Sequence, residues 1–145
     1  MKYLKLQAES LQLSIYCEIV LNTLSDHKEL SLIKTAVYAY LIKKYKLNSH
    51  RVYDGRHTSD TVYKSLSLLS GDFEGYCDSI EFIIKSIDIL NNENLIFIED
   101  NILKINPEVE NTKKITGDNI FLNRAIRESK KLTDKQFLKE VLASV

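Results

Sequence analysis

Residues 78–107, DSIEFIIKSIDILNNENLIFIEDNILKINP, hold the change of period that decides the fold. Ile80, Ile83, Ile84, Ile87 and Leu90 recur at helical spacing, so one face of this segment is apolar. Asp78 with Glu81 three residues on fits a capping box at the helix start. After the polar break Asn91-Asn92-Glu93-Asn94, residues 95–99 and 102–105 are short β-rich runs. Asp100-Asn101 between them tolerates positive φ and suits a two-residue hairpin turn. Pro107 ends the second strand. A helix leading into a tight hairpin, with amphipathic helices ahead of it, has the chain order of a winged helix-turn-helix core.

Outward from that stretch, Leu30, Ile33, Ala36, Val37, Tyr40 and Leu41 form one apolar stripe. It runs into Lys43, Lys44 and Lys46, cations that suit the carbonyl end of a helix. A loop with turn signals follows, and residues 61–69 form a shorter helix with Val62, Leu66 and Leu69 on one side. Gly75 reads as the turn before the third helix. At the N-terminus, residues 2–7 alternate weakly, as in a short strand. Leu11, Ile15, Ile19, Cys17 and Leu24 then belong to an additional helix. At the C-terminus, residues 112–117 read as a polar linker. Asp118 can open a helix reaching Ser129, and Thr133-x-x-Gln136 is a second capping box. These two helices are short, and helices under about 12 residues are marginal in isolation. They need a surface, either this domain's own or a partner's. The fold class is therefore mainly α with a small β-hairpin. Residues 1–110 are expected to form a winged-helix domain with an N-terminal extension, and residues 111–145 a C-terminal helical docking segment. Phe121, Leu122, Phe137, Leu138 and Val141 are its expected partner-docking anchors, because large apolar side chains dominate interface energy.

The chain has 145 residues, enough for one domain, and 44% of them are hydrophobic. No run approaches the roughly 20 apolar residues of a membrane span. The opening MKYLKLQAES has no continuous apolar region of the kind a secretory signal carries. Cys17 and Cys77 stand far apart without metal-like neighbours, and are expected to be buried free thiols of a cytoplasmic protein.

Charge bears most directly on function. Twenty acidic side chains balance twenty basic ones. Residues 1–72 carry ten basic and seven acidic residues, and residues 73–145 carry ten basic and thirteen acidic ones. A winged helix that reads bases places cations on its third helix and wing. Here that helix and the break after it carry Asp78, Glu81, Asp88 and Glu93 against Lys85, and the hairpin carries Glu99 and Asp100 against Lys104. Those carboxylates would repel phosphate. The candidates for contact with a nucleic-acid backbone are instead Lys43, Lys44, Lys46, Arg51 and Arg56, giving weak and non-specific DNA binding at most.

The chain carries no phosphate-binding glycine loop, C-x-x-C, H-E-x-x-H or G-x-S-x-G motif. Asp54, His57 and Asp60 are close enough in sequence to approach a divalent metal, but one histidine among loop carboxylates is a frequent accident. The sequence thus points to no catalytic residue, no cofactor and no metal site. The eight tyrosines fit amphipathic packing better than a stacking platform, several of them standing at core spacing.

Residues 21–42 (LNTLSDHKELSLIKTAVYAYLI), 95–108 (LIFIEDNILKINPE) and 121–142 (FLNRAIRESKKLTDKQFLKEVL) together carry a resemblance. The chain resembles the small middle components of bacterial three-component ABC ATPase systems, as in Lamassu-type anti-phage and anti-plasmid defence. These stand between an ATPase of the SMC/Rad50 type and an effector protein. The match lies in segment lengths and hydrophobic placement, with no diagnostic motif, so no site residues are carried over. It implies a non-catalytic adaptor, like the winged-helix accessory subunits of condensin-like complexes. The alternative is a stand-alone winged-helix transcription regulator that binds DNA, as a dimer. A small metal-dependent nuclease or toxin is a third class, resting on Asp54, His57 and Asp60 alone.

Overall fold

The computed structural model describes residues 2–45, 61–109 and 120–145. Among these residues six helices and a small antiparallel sheet follow one another as α1 (Lys2–His27), β1 (Glu29–Ser31), α2 (Leu32–Tyr45), α3 (Thr61–Ser67), α4 (Phe73–Asn92), β2 (Ile96–Glu99), β3 (Ile102–Ile105), α5 (Ile120–Ser129) and α6 (Asp134–Ser144). The protein is mainly helical with a three-stranded sheet of order β1-β3-β2.

The hairpin forms as its sequence dictates. Asp100 and Asn101 both take positive φ, 50° and 63°. This mirror-image turn matches the twist of the flanking strands, and it sets the register at Glu99 opposite Ile102 and Ile96 opposite Ile105. Ile96 and Leu103 point into the core, while Phe97, Ile98 and Ile102 stay exposed.

The third strand is a feature that periodicity does not reveal. Leu30 belongs to β1 rather than to the helix after it, and pairs with Leu103. Three residues are too few to show an alternation. What fixes β1 is the edge of β3 and the left-handed turn at Lys28, φ 72°. The Ile105 amide donates to the Lys28 carbonyl at 3.0 Å, and the Leu32 amide to the Asn101 carbonyl at 2.8 Å, so the strand is tied at both ends.

Three boundary expectations are corrected. Residues 2–7 are the first turns of α1 and not a strand; Tyr3, Leu4 and Leu6 are all exposed, so no sheet neighbour imposes the extended form. α4 starts at Phe73, five residues before Asp78, and Asp78 and Glu81 lie inside it and not at its cap. Gly75 is within the helix rather than in a turn ahead of it. A Cβ at Gly75 would stand 2.6 Å from the Tyr40 hydroxyl and 2.7 Å from a carboxylate oxygen of Asp72. The glycine is there for close approach, and the turn is made by Gly71 at φ 79°.

The core is one continuous cluster. Tyr16, Ile19, Val20 and Leu24 of α1 meet Val37, Tyr38 and Leu41 of α2, and Ile83, Ile87 and Leu90 of α4. Helices α1 and α4 cross closely: the Ser86 hydroxyl lies 3.1 Å from the Leu13 carbonyl, and the Cys17 thiol 3.7 Å from the Ser86 carbonyl. α5 and α6 pack on α3 and α2. Leu122, Ala125, Ile126, Phe137 and Val141 all belong to the same buried cluster. The Thr133 capping box forms as its spacing requires. The Gln136 amide donates to the Thr133 hydroxyl at 3.1 Å, and the Thr133 amide to the Gln136 side-chain oxygen at 2.9 Å. Both thiols are free, but neither is fully buried as expected: Cys17 is half-buried and Cys77 is exposed on α4. Among the described residues no helix is long and apolar enough to cross a membrane.

Candidate functional site

The outer face of α4 is built by subtraction. Tyr76, Ile83, Ile87 and Leu90 turn inward, and this leaves Glu74, Asp78, Glu81, Lys85 and Asp88 on the solvent side. Ile80, Ile84 and Ile89 flank that ridge, each about two-fifths exposed. Residues 73–109 as a whole carry eight acidic side chains against two basic ones, Lys85 and Lys104. Each of those two cations already has a carboxylate. Lys85 donates to Glu81 at 2.8 Å, and Lys104 to Glu99 at 3.2 Å. The Lys85 bond holds the Glu81 carboxyl below its usual range and raises Lys85 in turn. The remaining charge of α4 itself is negative, with Lys5 and Glu9 of α1 close by, and exposed isoleucines accompany it.

Two of the five expected backbone-contact residues, Lys43 and Lys44, are among the described residues, and both are engaged inside the chain. The Lys43 ammonium stands 5.0 Å over the Tyr16 ring and donates to the Gln12 side-chain oxygen. Burial lowers its pKa. Lys44 donates to Asp72, which also accepts the Tyr40 hydroxyl. The Lys44 bond first and the Tyr40 bond second hold the Asp72 carboxyl below its ordinary range, while burial and that same carboxylate push Tyr40 up. These cations join α2 to α1 and to the start of α4. Lys46, Arg51 and Arg56 lie outside the described residues, as do Asp54, His57, Asp60 and Asp118.

Four of the five expected docking anchors serve the chain's own packing. Phe137 is 0% exposed, Leu122 1% and Val141 3%, and Phe121 packs against the same core. A side chain in that position cannot also fill a partner's pocket. Leu138 alone of the five stands out, at 40% exposed. The amphipathic pattern located the apolar residues correctly but not what they face, since a helix stripe is the same whether it meets its own domain or another.

The α5–α6 surface carries a feature that the apolar pattern does not show. Residues 120–145 hold six basic side chains and three acidic ones. On α6, Lys135, Leu138, Lys139 and Leu142 are exposed at i, i+3, i+4, i+7 spacing, which makes them one ridge. In the sequence its signal is the local excess of positive charge in residues 120–145, which the acidic balance of residues 73–145 as a whole masks.

Two shallow clefts border the sheet. One, of about 290 Å³, is lined by Ser31, Lys34, Asp100, Lys130 and Asp134 among others. Its lysines are tied to backbone: Lys34 donates to the Leu132 carbonyl at 2.5 Å and Lys130 to the His27 carbonyl. The Lys130 contact caps the carbonyl end of α1 with a cation. The other cleft is lined by Ser25, Lys28, Glu29, Lys104 and Pro107 among others, with no nucleophile paired to a base. Among the described residues no group of three histidines, cysteines or carboxylates is placed to hold a metal ion. No protein-family model matches the chain, and neither the curated proteins nor the solved structures contain a match.

Proposed function

We propose that this protein is a non-catalytic winged-helix adaptor that links an SMC/Rad50-like ABC ATPase to an effector in a bacterial anti-phage or anti-plasmid defence complex. A winged helix-turn-helix sets a helix pair before a two-stranded wing. α3, the turn at Gly71, α4, β2 and β3 follow that order, and β1 adds a third strand beside β3. The order supports the winged reading.

The observation that carries the adaptor role is the outer face of α4. In a DNA reader the helix before the wing meets phosphate, and its exposed side chains are cations or hydrogen-bond donors. Here they are carboxylates beside exposed isoleucines, with the one lysine already paired. Such a surface suits protein contact, where apolar side chains supply the energy and charges set the register. The resemblance of residues 21–42, 95–108 and 121–142 to middle components of ATPase systems supplies the class of partner.

Co-expression with any SMC/Rad50-type ATPase found encoded next to this chain, followed by affinity purification through this subunit, tests the proposal. A stable complex that retains ATP hydrolysis, with weak, salt-sensitive DNA binding by the subunit alone, is expected. Tight, sequence-specific binding to duplex DNA by the purified chain at physiological salt would move it to the regulator class instead.

A further inference from the structure

The chain carries two complementary faces that it cannot bring together by itself. The first is the α4 ridge, where Asp78, Glu81 and Asp88 run beside Ile80 and Ile84, its one cation, Lys85, being paired to Glu81. The second is the α6 ridge of Lys135, Leu138, Lys139 and Leu142. Each alternates charge with exposed aliphatic side chains, and the signs are opposite. Asp78, Asp88, Lys135 and Lys139 have no ion-pair partner among the described residues. α4 packs on α1 and α2, whereas α6 packs on α3 and α2, so the two ridges stand on separate flanks of the core.

We infer that the α4 ridge of one copy docks the α6 ridge of a second copy, in a head-to-tail association of the chain with itself. Three observations argue for a second copy as the occupant. The complementary surface is present on the same polypeptide, and both ridges are helix faces with aliphatic residues at one-turn spacing, which suits helix-on-helix packing. The whole chain has a formal net charge of zero, so no long-range repulsion keeps copies apart. The charge is also segregated, from eight acidic against two basic in residues 73–109 to six basic against three acidic in residues 120–145. Because the two ridges stand on separate flanks, each copy can engage two others, so the contact propagates into a ring or a filament unless two copies pair both ridges reciprocally. This self-association does not depend on the adaptor reading.

The mass of the purified full chain, followed by analytical ultracentrifugation across concentration and salt, tests the inference. Species larger than a monomer should appear with concentration at low salt and recede at high salt, because the charges are exposed and screened. The double variant Lys135→Glu/Lys139→Glu and the double variant Asp78→Lys/Asp88→Lys should each weaken association by roughly tenfold or more, since each turns attraction into repulsion. An equal mixture of the two should associate again, because each now carries what the other's reversed face requires. Cys77, exposed on α4 beside Asp78, gives a second readout: its labelling by a maleimide should slow on association and recover at high salt. The substituted positions are all exposed, and matching thermal melts of the variants will show that they fold. A chain that stays monomeric at low salt at every concentration overturns the inference and leaves the acidic ridge to a basic partner of another kind. Association untouched by either reversal overturns it as well, because the contact would then lie elsewhere.

Discussion

The ring of Tyr38 on α2 lies against the ring of Phe137 on α6, centroids 5.8 Å apart and tilted by 48°. Both side chains are fully buried, and the Tyr38 hydroxyl shares a 2.9 Å hydrogen bond with Ser65 of α3. The contact joins the last helix of the chain to its centre through three elements. Burial pushes the Tyr38 hydroxyl well above its ordinary range, so it stays protonated and able to donate.

Phe137→Ala is therefore expected to act on stability before anything else. Removing a fully buried phenylalanine leaves a cavity and costs about 3–5 kcal/mol. Leu138→Ala, one residue on but exposed, should change stability by less than about 0.5 kcal/mol. Chemical denaturation of the two variants checks this. Equal destabilisation, or none from Phe137→Ala, would show that α6 is not held on α2 and α3 as described.

The negative charge of α4 is expected to be what limits DNA binding. Asp78→Lys/Asp88→Lys should raise affinity for duplex DNA several-fold at low salt and steepen the salt dependence, as added phosphate contacts release more counterions. Fluorescence anisotropy with an arbitrary duplex is the measurement. No gain would mean that this face does not meet DNA even when its charge permits. Charge reversal at Lys46, Arg51 and Arg56 should weaken whatever binding the native chain has. Reversal at Lys43 or Lys44 should instead lower stability, because both are bonded within the fold.

Asp72 joins Tyr40 and Lys44 at the start of α4, and its carboxyl titrates below the ordinary range. A carboxylate with a depressed folded pKa contributes stability above its unfolded value, and loses it as the pH falls through the folded one. The stability difference between native protein and Asp72→Asn should therefore be full near neutrality. It should shrink on acidification below about pH 4, the ordinary carboxylate range. Thermal melts across that interval report it. A difference that stays constant down to the acid limit would remove the carboxylate from the account and leave only its shape.

The hairpin turn offers a local test. Asp100 and Asn101 both sit in the left-handed region, where a β-branched side chain is strained by about 1–2 kcal/mol. Asp100→Val or Asn101→Val should each lower stability by that order, while Asn101→Gly should be neutral or mildly stabilising. Urea titrations at fixed temperature separate the cases. Tolerance of valine at both positions would rule out the turn geometry.

Side chains that are neighbours along the chain are enough to specify the local elements. The helix of residues 78–91 is read from isoleucine spacing, the hairpin from Asp100-Asn101, and the α6 cap from Thr133 and Gln136. Each depends on side chains within a turn of one another, so the local pattern is enough. The remaining features depend on contacts between elements far apart in the chain. β1 exists because β3 offers an edge to Leu30. α4 reaches back to Phe73 because Gly75 lets Tyr40 and Asp72 close on the helix. Lys43 and Lys44 leave the candidate interface because Tyr16, Gln12 and Asp72 come to them from other elements. Phe137 faces Tyr38 rather than a partner, while Leu138 beside it is left outside. Periodicity records that a face is apolar; which surface covers it depends on contacts distant in sequence, and these form only when the chain has folded.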